Sequence, residues 1–144
     1  MNTVGSNNRG KIRGRIVEGL REAANFTQIP WVKRQFIEKL CIEPYPGTLN
    51  LEVLDSESLQ SFKTLKSKKG IEITPEDPSF CSAQCYPVLI GGRLKAAIVF
   101  PLVDGYPENK MELIASQNIK EALSLKAGDD LEVEILWNGR KEWK

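Results

Sequence analysis

Apolar and polar residues alternate in several short runs of the chain, and one segment repeats its apolar residues every fourth position. Lys11–Val17 (KIRGRIV) is a β-prone run that ends just before a turn at Gly19. Thr48–Leu54 alternates cleanly: Leu49, Leu51 and Val53 share one face, and Thr48, Asn50 and Glu52 share the other, the signature of a half-buried strand. Further short strands are expected at 70–73, 84–90, 94–100 and 110–115, and LEVEILW at 131–137 alternates again. Gly91-Gly92 joins two of these runs and supplies the positive φ angles of a two-residue hairpin turn. Val32, Phe36 and Leu40 form one helical stripe behind Pro30, with Ile37 beside it, which predicts a helix over 30–40. Pro44 and Pro46 forbid its continuation. A helical turn capped by Asp55 or Ser56 is expected at 56–62, followed by a basic loop at 63–70. Asn118 is expected to cap a short helix, IKEALSL.

About seven short strands, one or two short helices and no strand–helix–strand rhythm predict a mainly β fold. Closure into a barrel is the expected architecture, because it removes edge strands. At 144 residues the chain fits one domain: a mobile tail at 1–10, the barrel domain at 11–137 and a C-terminal tail at 138–144. Twenty basic and nineteen acidic side chains leave a net charge of +1, which argues against nucleic acid or an anionic membrane surface as the main partner. No apolar run approaches the ~18 residues of a membrane span, and the start, MNTVGSNNRG, has no signal-peptide core. A cytoplasmic protein is the expectation. Oligomeric state is not legible.

Histidine is absent, which removes Ser-His-Asp and Cys-His catalysis and every histidine-containing zinc site. Cys41, Cys81 and Cys85 are an odd number, fitting reduced thiols better than a disulfide framework. With no second pair to complete a tetrahedral site, they are expected as buried small side chains rather than metal ligands. The segment PYPGTLNL (44–51) is more informative. Two prolines and a glycine stiffen the approach to a strand from which Thr48 and Asn50 project on one face. A hydroxyl and an amide oxygen two residues apart on a strand can share one hard cation, and neutral oxygen donors suit Mg²⁺ when phosphates supply the negative charge. The same two residues also read as the wet face of an amphipathic strand, and spacing alone leaves both readings open. Glu112, beside Met111 and Leu113 but on the face of Ile114, reads either as an exposed strand residue or as a carboxylate in a partly enclosed pocket.

The run LCIEPYPGTLNLEV (40–53) resembles the signature of the archaeal-type CTP-dependent riboflavin kinases. GRLKAAIVFP (92–101) is similar to that family's penultimate hairpin, YPENKMELIAS (106–116) to its strand ending in ExIAP, and IKEALSLKAGDDLEVEI (119–135) to its closing helix, Gly-Asp turn and strand. The resemblance implies a six-stranded cradle-loop β-barrel that transfers the γ-phosphoryl group of CTP to the 5′-hydroxyl of riboflavin, giving FMN and CDP with Mg²⁺ as cofactor. It implies Thr48 and Asn50 as Mg²⁺ ligands and Glu112 as the flavin contact, with the nucleotide at Gly19, Leu20, Ile119 and Lys120. No catalytic base is implied. Phosphoryl transfer asks chiefly for a metal on the phosphates and an in-line alcohol, which a chain without histidine can provide.

The chain departs from the family pattern at several places. Its nucleotide loop, glycine-rich in the family, reads Gly19-Leu20-Arg21-Glu22-Ala23-Ala24-Asn25-Phe26, with Arg21 and Ala23 where further glycines would stand. Glycines let backbone N–H groups approach phosphates closely; Arg21 offers a charged contact instead, with Glu22 beside it opposing one. Asp104 in Pro101–Tyr106 stands where a PxxTxH threonine is usual, Ser116 replaces a proline, Lys120 an arginine, and Cys41 the glycine after the first helix. These departures motivate an alternative, a non-catalytic flavin or nucleotide sensor on the same barrel. LKAGDDLEVEI also resembles the close of small transcription-factor barrels, but the near-neutral charge and the lack of a helix-turn-helix pattern weigh against DNA binding. Lys63, Lys66, Lys68 and Lys69 read as a solvated loop, and Phe26 and Trp31 either as flavin-stacking or as core aromatics.

Overall fold

The computed structural model describes residues 10–19 and 22–137. Leu20, Arg21 and both tails apart from Gly10 lie outside the described residues. The elements in chain order are β1 (Lys11–Val17), α1 (Glu22–Gln28), α2 (Pro30–Leu40), β2 (Leu49–Glu52), α3 (Ser56–Lys66), β3 (Ile71–Ile73), β4 (Ala83–Ile90), β5 (Leu94–Pro101), β6 (Lys110–Ala115), α4 (Ile119–Ala122) and β7 (Asp130–Ile135).

Six strands close a ring, β4-β5-β6-β2-β1-β7 and back to β4, and every pairing in it is antiparallel. Closure depends on the length of β4. Its second half pairs with β7 through Val88, Leu89 and Ile90, while its first half pairs on the same side with the short β3 through Ala83, Gln84 and Cys85. Alternation decides which residues fill the barrel. Ile12 and Ile16 of β1, Leu49 and Leu51 of β2, Met111 and Leu113 of β6, and Leu131 and Val133 of β7 are buried in one cluster, joined by Phe62 and Leu65 of α3. The Gly91-Gly92 hairpin has φ angles of 61° and 73°, as the turn requires.

A second core lies outside the barrel. Val32, Phe36 and Leu40, the stripe read from the sequence, pack α2 onto Ile73, Cys85, Ala97, Val99 and Ile114 on the outer face of the sheet. Gln35, buried on the same helix, exchanges two hydrogen bonds of 2.8 Å with the backbone of Thr74, which fixes the helix to the end of β3. A second layer on one outer face gives the opposite sides of β2, β5 and β6 a buried environment of their own, and there the polar face of β2 points.

Three expectations change. Four helices form among the described residues rather than one or two. AANFTQ is helical within α1, and the turn expected at 56–62 runs on to Lys66, because Ser58, Phe62 and Leu65 make a buried stripe through the lysines of the supposed basic loop. Of the cysteines only Cys85 is buried; Cys41 and Cys81 are exposed. Cys41 ends α2 with a left-handed φ of 58°, while Cys81 sits in the loop before β4. No helix among the described residues is long and apolar enough to cross a membrane.

Candidate active site

The segment 44–48 is held from both sides before it enters β2. Tyr45 N donates to Ala115 O of β6 at 2.8 Å. From the other side, Gln28 Nε2 donates to Pro44 O at 3.0 Å and the buried Thr27 Oγ1 accepts from Gly47 N at 3.0 Å. Gly47, at φ 97°, supplies the left-handed residue that turns the chain into the strand. Thr48 and Asn50 then face outward from the barrel, under the layer made by α1 and α2.

Asn50 pairs with Glu112 across β2 and β6, and Glu112 pairs with Val99 across β6 and β5. This row places Thr48, Asn50 and Glu112 on one surface. Thr48 Oγ1 donates to Glu112 Oε1 at 2.9 Å, and Asn50 Nδ2 approaches Thr48 O and Oγ1 at 3.3 and 3.4 Å. The second carboxylate oxygen, Oε2, accepts from the Tyr106 hydroxyl and lies 3.9 Å from Lys110 Nζ. Burial, then the hydrogen bond to Glu112 and its negative charge, push the Tyr106 hydroxyl well above its ordinary value, so it stays protonated and donates. Four polar side chains are buried among the described residues. Gln35 and Ser58 bond to backbone elsewhere in the fold, whereas Thr27 and Asn50 line one cavity, Thr27 holding Gly47 N.

That cavity is a cleft of about 530 Å³, within the usual range for small-molecule sites. Thr48, Asn50, Lys110 and Glu112 form its polar end; Phe36, Val99 and Ile114 floor it, and Phe26 and Phe80 wall it. The Phe26 and Phe80 rings stack with centroids 5.9 Å apart, and Trp31 meets Phe80 edge-on at 5.5 Å. Phe26 thus faces the cleft, while Trp31 supports the wall from behind.

Two smaller cavities adjoin the polar end. One of about 180 Å³ shares Thr48 and is lined by Gln117, Asn118, Ile119 and Lys120. The other, of about 250 Å³, shares Asn50 and is lined by Gly19, Glu18 and Asn109. Gly19 sits against Asn50 so closely that a Cβ there would lie 2.0 Å from Asn50 Nδ2. Leu20 and Arg21 lie outside the described residues.

A model of the CTP-dependent riboflavin kinases, described as "Domain of unknown function DUF120", matches residues 16–135. The chain belongs to this family. It is similar to riboflavin kinases of Sulfurisphaera tokodaii (38% identical over 128 residues, 86% of this chain and 93% of that one) and Saccharolobus solfataricus (32% over 128 residues, 87% and 73%). It also resembles the riboflavin kinase of Methanosarcina barkeri, at 34% identity over 138 residues, 93% of this chain and 60% of that longer one. The chain spans little more than half the length of that relative and of several others.

Against the family frame, the structure gathers Thr48, Asn50 and Glu112 around one cleft and sets Ile119, Lys120 and Gly19 on the cavities to either side. Sequence reasoning missed Tyr106 and Phe80. Each lies in a loop without periodicity, and only the tertiary fold brings it to the site. The donor set fits Mg²⁺ in part. A hydroxyl and a carboxamide are neutral hard donors; the Asn50 amide nitrogen lies 3.4 Å from Thr48 Oγ1, so a turn of the amide would bring its oxygen near the ~3 Å edge of an octahedron with bonds of 2.0–2.1 Å. The amide now presents its nitrogen to Thr48, and a cation would require its oxygen. Among the described residues no group of three or more Cys, Asp or Glu could form a metal cage, so phosphate and water oxygens would complete the shell.

Proposed function

We propose that this chain transfers the γ-phosphoryl group of CTP to the 5′-hydroxyl of riboflavin. A bond forms between the ribityl oxygen and phosphorus, the bond from phosphorus to the β–γ bridging oxygen breaks, the alcohol proton is released and CDP leaves. The observation that carries this reading is the arrangement of one apolar, aromatic-walled cleft whose polar end is Thr48, Asn50 and Glu112, in a chain of this family. The cleft suits a planar tricyclic ring between Phe26, Phe80 and the aliphatic floor. Glu112, at the polar end, is the flavin contact.

Thr48 and Asn50 would hold Mg²⁺, which when bound would supply positive charge beside the phosphates. The protein's own part is positional. The flanking cavities, at Ile119 and Lys120 and at Gly19, receive the nucleotide, so its phosphates and the end of the ribityl chain meet at Thr48 and Asn50. Asn50→Ala is expected to abolish FMN formation, and Thr48→Val to raise the Mg²⁺ concentration needed for half-maximal rate by at least tenfold. Folded Asn50→Ala protein with parental turnover would overturn the assignment.

A second reading follows from the replacement of two loop glycines by Arg21 and Ala23: a flavin or nucleotide sensor without turnover. Turnover separates the two, since FMN formation excludes the sensor, and calorimetry adds whether CTP binds. Tight Mg-CTP binding supports the kinase, and riboflavin binding with no CTP binding supports the sensor.

A further inference from the structure

Glu112 has a partner that neither the strand pattern nor the neighbouring polar residues supply. Tyr106, in the loop between β5 and β6, donates its hydroxyl to Oε2 while Thr48 donates to Oε1. A carboxylate held by one donor can rotate about its terminal bond; held by a donor on each oxygen, it has one orientation. The side chain of Glu112 is only 15% exposed, so no shell of bulk water competes for these positions.

The loop is built to present this hydroxyl. Tyr106 N bonds to Val103 O, and the Tyr106 ring meets Phe100 edge-on with centroids 5.9 Å apart. Lys110 Nζ lies 5.3 Å from the ring and 3.9 Å from the same carboxylate oxygen. Tyr106 lines a separate cavity of about 490 Å³ with Leu59, Lys66 and Phe100, and its hydroxyl bonds the carboxylate that lines the cleft. Tyr106 is therefore anchored on one side of a partition and acts on the other.

We propose that Tyr106 is a positioning residue for flavin binding: its hydroxyl fixes the Glu112 carboxylate so that the remaining acceptor positions face the cleft. The inference rests on the reading of Glu112 as the flavin contact. Its expected effect falls on riboflavin, because Tyr106 bonds Oε2 of Glu112 whereas Thr48 bonds the other carboxylate oxygen, Oε1.

The test uses Tyr106→Phe, which keeps the ring and its packing, together with Glu112→Ala and the double variant. Riboflavin affinity is read from flavin fluorescence, Mg-CTP affinity from calorimetry and folding from thermal unfolding. Tyr106→Phe is expected to weaken riboflavin binding about tenfold, the scale of one hydrogen bond to a charged group. It should leave the Mg-CTP dissociation constant within about twofold and add no further loss to Glu112→Ala. Parental riboflavin affinity in Tyr106→Phe, with Glu112→Ala weakened, would overturn the role of Tyr106. Equal weakening of riboflavin and Mg-CTP would reduce it to a structural role. Parental riboflavin affinity in Glu112→Ala would instead overturn the flavin reading of Glu112, and the proposal with it.

Discussion

Replacing Gly19 with alanine perturbs the site through a single atom. The backbone of Gly19 is not in the left-handed region, so alanine brings no φ penalty there. Its Cβ would lie 2.0 Å from Asn50 Nδ2 and 2.9 Å from Asn50 Cγ, short of ordinary contact by about 1.5 Å at the nitrogen. The amide has to turn away. It then gives up its long bonds to Thr48, at 3.3 and 3.4 Å, which costs about 1 kcal/mol, and the midpoint of thermal unfolding should fall by roughly 4 °C. The functional loss should be larger. A metal-binding group displaced by about 1 Å costs on the order of a hundredfold in rate. Thermal unfolding and initial rates of FMN formation across a Mg²⁺ titration measure both effects on one preparation. Gly19→Ala protein with parental rate and Mg²⁺ requirement would refute the claim that Gly19 seats Asn50.

One further substitution and one labelling experiment follow from the cysteines. Cys41 holds a left-handed φ of 58° at the end of α2, so Cys41→Gly should stabilise the protein by about 1 kcal/mol, read as a rise in the denaturant midpoint at unchanged slope. Burial pushes the Cys85 thiol up to about 12, so at pH 8 it is neutral, and it becomes a thiolate only as pH nears that value. Alkylation of native protein at pH 8 should modify Cys41 and Cys81 and spare Cys85 until the chain unfolds. Because Cys81 lines the cleft, saturating riboflavin should slow its labelling while Cys41 reacts as before; peptide mass mapping reads all three.

Elements were legible where a repeated apolar pattern had to be buried together. β1, α2 and β6 run over the residues that the periodicity marks, because Ile12 and Ile16, or Val32, Phe36 and Leu40, have no other way to be buried together. α1 escaped because its sequence carries no apolar stripe; it meets the site through Phe26 in the cleft wall and through Thr27 and Gln28, which bond the 44–47 segment. α3 was cut short because lysines at 63 and 66 mask the inward Phe62 and Leu65; Lys66 instead lays its charge over the Phe62 and Phe100 rings. At the site, the shared face of Thr48 and Asn50 was visible in the alternation, and their union with Glu112 follows from β2–β6 pairing, which local pattern does not reveal. The Tyr106–Glu112 bond and the Phe80 wall had no local signal, since both depend on loops folding back over the barrel.

The central claim is that the cleft and its flanking cavities form one phosphoryl-transfer site. Its most direct test is the mass of the product formed when the folded chain, riboflavin and Mg²⁺ are incubated with each nucleoside triphosphate in turn. FMN is expected with CTP, above the yield with ATP, GTP or UTP. No phosphorylated flavin with any of the four, from folded protein that binds riboflavin, would contradict it.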